Sequence, residues 1–153
     1  MLGFTLRAPH FCGAAFLFCG VLAGPVQAQT EYEGQVRFQL DLVKAFAQTV
    51  GYDQTHDYHI GALNDSDSDS FTVTLREGWD YRIVSFCDED CSDIDLYLED
   101  ENDNEIDSDV EIDDVPIIES RPRWTGRFTI RVRMYECSAE PCYFGVGVFG
   151  TER

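Results

Sequence analysis

The chain has 153 residues, a formal net charge of −18 and six cysteines. That length fits one domain of ordinary size, and the acid excess excludes nucleic acid and anionic membrane surfaces, which demand a basic face. Cations or basic partners are the natural counterparts.

Residues 1–28 carry one cation, Arg7, no acid, and an apolar run from Phe11 to Ala23 that Gly24-Pro25 ends. Val26-Gln27-Ala28 then offers small residues ahead of a cleavage point, which completes the layout of a secretory signal peptide. The run is shorter than the about 20 residues a membrane span needs. No cysteine follows it where a lipid anchor would need one. Cleavage after Ala28 leaves 125 residues with a net charge of −19, because Arg7 is the only charge removed. The expected destination is the periplasm or the medium, with no stable membrane insertion after cleavage.

Residues 29–56 read as an N-terminal helical segment. Gln29 to Gly34 is expected to fray. From Gln35 to Val50, Val36, Leu40, Val43 and Ala47 recur at helical spacing, with Phe38, Leu42 and Phe46 beside them and Gly51 as the stop. Val36, Phe38, Leu40 and Leu42 also alternate as a strand would, but the length of the run and its Ala-Phe-Ala-Gln continuation favour helix.

Residues 57–153 change character. "YHIGAL" is a short strand and "NDSDSDS" a polar turn. "FTVTL" (71–75) and "YRIVSF" (81–86) alternate about a turn at Gly78. "IDLYLED" (94–100) leads into "ENDN", then come "EIDSD" and "VPIIES". "RFTIRVRM" (127–134) alternates most clearly, with Phe128, Ile130, Val132 and Met134 on one face and Arg127, Arg131 and Arg133 on the other. "CYFGVGVFG" closes the chain. Seven or eight short strands with turn signals between them mean an all-β sandwich or barrel.

Four cysteines remain after the signal: Cys87, Cys91, Cys137 and Cys142. An even count in an exported chain reads as disulfides. Local pairs, Cys87–Cys91 and Cys137–Cys142, are favoured, since each closes a small loop at a strand end. A cross-link between the two loops is the alternative, and a zinc thiolate site is a further one, which export disfavours.

Three stretches carry a family resemblance: F-x-V-x-L-x-x-G-x-x-Y at Phe71 to Tyr81, D-x-D-L-Y-L at Asp93 to Leu98, and T-G-x-F-x-I-x-V at Thr125 to Val132. Together they resemble the bacterial pre-peptidase C-terminal domain family. The resemblance implies a jelly-roll-like antiparallel β-sandwich over residues 57–153. It also implies an accessory role, in which members are trimmed off, bind substrate or calcium, or help export. No peptidase domain precedes the module in this chain.

Fifteen of the twenty-seven residues from Asp88 to Asp114 are acids. On a strand, Ile94, Leu96 and Leu98 face inward and Asp93, Asp95, Tyr97 and Glu99 outward, so much of the run reads as a solvated face. Calcium is the sharper reading, since it takes six to eight oxygen ligands. The candidate ligands are Asp88, Asp90, Asp93 and Asp95, with Asp65, Asp67 and Asp69 as a second group. Asp100, Asn102, Asn104 and Glu111 match a calcium-loop template by accident, because Glu105 stands where that loop needs glycine; "ENDN" is a hairpin turn. His56 and His59 read as ordinary residues near a strand, and Trp79 and Trp124 as plugs on the core. No catalytic residue is singled out. The expected function is an exported, non-catalytic binding or accessory module, calcium-stabilised, for a protein or polysaccharide ligand. The alternatives are a small secreted hydrolase using clustered carboxylates, or a structural or inhibitory partner of an exported peptidase.

Overall fold

A computed structural model describes the chain from Val26 to Arg153, with side chains from Glu31. Residues 1–25 of the expected signal peptide lie outside the described residues. Helix α1 spans Val26–Thr49. Nine strands follow: β1 Asp53–Gln54, β2 His59–Leu63, β3 Ser68–Leu75, β4 Trp79–Cys87, β5 Cys91–Glu99, β6 Glu105–Asp109, β7 Ile117–Ser120, β8 Gly126–Cys137 and β9 Cys142–Glu152. The extra strand beyond the expected seven or eight is the two-residue β1. Helix α1 also starts earlier than expected, so Gln29 to Gly34 is helical rather than frayed.

The strands form two antiparallel sheets. In the first the order is β1-β9-β4-β7, with β2 also on β9; in the second it is β3-β8-β5-β6. Alternation explains the sandwich. The inner faces bury Ile83, Phe144, Val146 and Val148 from the first sheet and Ile94, Leu96, Leu98, Phe128, Ile130, Val132 and Met134 from the second. At about 25 cal/mol per Å² removed from water, this one cluster supplies most of the driving force.

A second, smaller core lies outside the first sheet. There β9 turns Tyr143, Gly145, Gly147 and Phe149 outward, and α1 lays Val36, Leu40 and Ala47 on them and on Val84. The two glycines make the seat possible. A Cβ at Gly145 would stand 2.5 Å from Val36 Cγ1, and one at Gly147 would stand 3.1 Å from Leu40 Cδ2. The opposite face of α1 stays in solvent: Phe38 and Leu42 are more than half exposed, as are Phe46 and, just past the helix, Val50 at its edge toward the sheet.

Candidate functional site

The two cysteine turns sit side by side at one end of the sandwich. Cys87 pairs with Cys91 and Cys137 with Cys142, the local pairing, and Cys91 lies opposite Cys137 in the ladder between β5 and β8. Acids hold these turns together. Asp88 is buried, and its carboxylate accepts from the Tyr143 amide at 2.6 Å and the Asp90 amide at 3.2 Å. The Asp90 carbonyl accepts from the amide and hydroxyl of Ser138. Asp65 Oδ1 accepts from the Cys137 amide at 3.1 Å. Burial pushes the Asp88 carboxyl above its ordinary range, while the two amides pull it back.

Asp93 has a different environment. The β5–β8 ladder is irregular on both sides of it, with Asp93 opposite Glu136 and Asp95 opposite Arg133. Asp93 is 5% exposed, and its Oδ1 is buried with no hydrogen-bond donor. Burial raises its pKa, and the charges of Asp95, Glu136 and Asp113 raise it further. Asp95 Oδ2 accepts from the Tyr97 hydroxyl at 3.0 Å. Asp113 joins from the β6–β7 loop: its carbonyl accepts from the Ile94 amide, and its Oδ1 from the Val115 amide.

The four expected ligands therefore divide. The Asp88 carboxylate is spent on the cysteine turns, which Asp90 joins through its backbone, whereas Asp93 lies opposite Glu136 and feels the charges of Asp95 and Asp113. Neither Asp113 nor Glu136 was singled out as a ligand from sequence, because ladder bulges and a loop twenty residues away bring them in. Among the described residues no three metal-ligating side chains converge as a ready-made site; the carboxylates stand apart, as uncompensated like charges do. The second acidic group is occupied as well. Asp69 Oδ2 lies 2.7 Å from His59 Nε2, and that ring stacks on Phe71 at 4.0 Å.

The β5–β6 turn matches the hairpin reading. Asp100 Oδ1 accepts from the amides of Asn102 and Asn104, and Asp103 takes a left-handed φ of 60°. Hydrogen bonds from Asn104 and Asn102 hold the Asp100 carboxyl below its ordinary pKa.

Both tryptophans pack as plugs. Trp79 stacks beside Tyr81 at 6.0 Å and Trp124 on Phe128 at 5.3 Å, where its indole N–H donates to Glu101. On the outer face of the second sheet, the Arg131 guanidinium lies 3.7 Å from the Tyr97 ring and bonds Glu99 at 3.0 Å. His56 shares a 2.9 Å hydrogen bond with the Thr55 hydroxyl.

One further feature was not read from the sequence. A groove of about 200 Å³ runs between the C-terminal half of α1 and the first sheet, walled by Val43, Phe46 and Val50 on one side and by Val84, Val115 and Ile117 on the other. Its walls come from three distant segments, so only the leftover apolar positions Phe46 and Val50 hinted at it.

No family model matches the chain, and no curated protein does. What the fold and its cross-links define is an acidic, disulfide-tied β-sandwich module with a helix seated on one sheet. No helix among the described residues is long and apolar enough to cross a membrane.

Proposed function

We propose that the chain is a non-catalytic binding or accessory module of an exported protein, of the pre-peptidase C-terminal kind, stabilised by calcium at Asp93. The observation that carries this reading is the buried Asp93 Oδ1, which has no hydrogen-bond donor, with the charges of Asp95, Glu136 and Asp113 acting on the same carboxyl. A buried charge without a partner is costly, and a divalent cation is the group that relieves several carboxylates at once. Asp93, Asp95, Asp113 and Glu136 would supply hard oxygen ligands, with backbone carbonyls and water completing the shell that calcium accepts. The two disulfide pairs support export, and the net charge of −18 leaves a protein or polysaccharide as the macromolecular partner. A raised carboxyl pKa also suits a general acid. Asp93, however, lines none of the principal clefts, so the cation reading is the stronger.

The test is thermal unfolding of the oxidised protein in chelator, then across a calcium titration, with magnesium as control. A ligand that binds only the native state stabilises it by about 2.7 kcal/mol at a hundredfold excess over Kd. The expected result is a saturating, calcium-specific rise in midpoint that Asp93→Asn abolishes. An equal shift with magnesium, no shift, or a full response in the variant would remove calcium from the reading.

A further inference from the structure

We propose that the outer face of α1 is a homodimer interface, where two copies of this chain pack antiparallel about a two-fold axis at Leu42. The cation site plays no part in this inference, which rests on different residues at a different surface.

Helix α1 is apolar on two faces, and the sheet covers one. Val36, Leu40 and Ala47 are buried against β9, whereas Phe38, Leu42 and Phe46 are 64%, 55% and 64% exposed. The uncovered positions Gln35, Phe38, Leu42, Ala45 and Thr49 recur at spacings of three and four. That is the seam by which one helix packs along another. The seam continues into the groove through Phe46 and Val50, and Ile117 on the far wall is 50% exposed.

A second copy fits this surface for three reasons. The ridge is self-complementary, since Phe38 and Phe46 stand four residues either side of Leu42. In an antiparallel pair Leu42 meets Leu42, and each Phe38 comes level with the other copy's Phe46, at the mouth of the groove. A protruding ring and a cleft on the same surface of each molecule is the arrangement an isologous contact requires. The area is also adequate. Phe38, Leu42, Phe46, Val50 and Ile117, with the groove walls, expose roughly 600 Å² per copy, so two copies bury at most on the order of 1,200 Å², at the lower bound for a specific interface. Finally, the centre of the seam is free of charge: Phe38, Leu42, Ala45 and Thr49 are neutral, with Glu31 at its N-terminal end and Arg82 in the groove wall. Asp41 flanks it, and its carboxylate accepts the Tyr58 hydroxyl at 3.1 Å. In a chain of net charge −18, a neutral centre of this kind is where two copies can meet.

The charge also separates this occupant from a basic peptide or helix. Two acidic copies repel through solvent, so salt tightens their association; a basic partner on an acidic domain would be loosened by salt. The experiment is sedimentation equilibrium of the purified, oxidised protein across a concentration series at low and high salt. A reversible monomer–dimer equilibrium that tightens with salt is expected. Leu42→Glu should weaken it by at least about tenfold, with an unfolding midpoint near that of the parent because Leu42 is already exposed. Phe38→Ser serves if Leu42→Glu fails to fold. Leu42→Cys should cross-link to itself on mild oxidation, while Thr129→Cys, on the outer face of the second sheet, should not. A protein that stays monomeric to several hundred micromolar, or a dimer indifferent to Leu42→Glu and Phe38→Ser, overturns the proposal.

Discussion

Replacing Gly145 with alanine puts a methyl group 2.5 Å from Val36 Cγ1 and 2.9 Å from Leu40 Cδ1. Carbon atoms pack at about 3.5–4.0 Å, so α1 must rise from β9 by about 1 Å. Val36 and Leu40 are both 0% exposed and have no free space to rotate into. Overpacking of this kind costs about 1–3 kcal/mol. A domain of this size loses about 3–5 °C of midpoint per kcal/mol. Val36→Ala removes the closest atom, so the double variant should cost at least about 1 kcal/mol less than the two single changes added together. Gly34→Ala is the control. It lies in the same helix with nothing within 4 Å of its Cβ, and should stabilise by about 0.5–1 kcal/mol through helix propensity alone. Urea and thermal unfolding followed by circular dichroism measure all four proteins. A neutral Gly145→Ala, or strict additivity with Val36→Ala, would refute the seating of α1 on the glycine track.

Asp100 and Asp93 should respond to acid with opposite signs. Hydrogen bonds depress the folded pKa of Asp100, so its contribution is full above the unfolded value of about 4 and lost as pH falls through the folded value. Asp100→Asn is therefore expected to destabilise at neutral pH, and its gap from the parent to close below about pH 4, read from urea midpoints. For Asp93 the folded pKa is raised, by burial first and by neighbouring acids next. Its uncompensated charge weakens the cation-free protein above the folded value, and the penalty fades as pH falls toward the unfolded one. In chelator at neutral pH, Asp93→Asn should match or exceed the parent in stability, with the difference shrinking on acidification. The disulfides enclose short loops, with separations of four and five residues. Replacing Cys137 and Cys142 together by alanine should cost about 2 kcal/mol; retained folding with free thiols at Cys87 and Cys91 would contradict the local pairing.

The parts of the fold legible in the sequence are those where one periodicity acted alone. "RFTIRVRM" became the centre of β8 because its four apolar residues all face the core, and of its arginines Arg131 pairs with Glu99 of β5. In α1, Val36, Phe38, Leu40 and Leu42 fit both a helix and a strand. Only the burial of Val36 and Leu40 with Phe38 and Leu42 left outside distinguishes the two. The candidate site was half legible. Asp93 and Asp95 are consecutive residues of the β5 face away from Leu96 and Leu98, as period two predicts, but both are buried, at 5% exposure, rather than solvated as the alternation implied. Asp88 does not join them, since its oxygens are taken by the Tyr143 amide 55 residues away. Pairing at that distance leaves no local trace. Asp113 and Glu136 enter for the same reason.

The density of acids between Asp88 and Asp114 has a structural cause beyond solubility. Short antiparallel strands leave many turn amides without ladder partners, and each buried one must find an acceptor. Here carboxylates are the acceptors: Asp88 for Asp90 and Tyr143, Asp100 for Asn102 and Asn104, Asp109 for Glu111 and Ile117, and Asp113 for Val115. An ionised acceptor makes such bonds shorter and stronger than a neutral one, so charge that repels at long range is retained for what it does locally. Aspartate suits the task because its short side chain reaches an amide two residues on. Against that background Asp93 is the exception that argues for a ligand. It is as buried as the capping aspartates, yet its Oδ1 receives no amide and no guanidinium. The fold supplies donors to its other buried carboxylates and withholds one here, while the charges of Asp95, Glu136 and Asp113 act on the same group, which is the ground for the proposed cation.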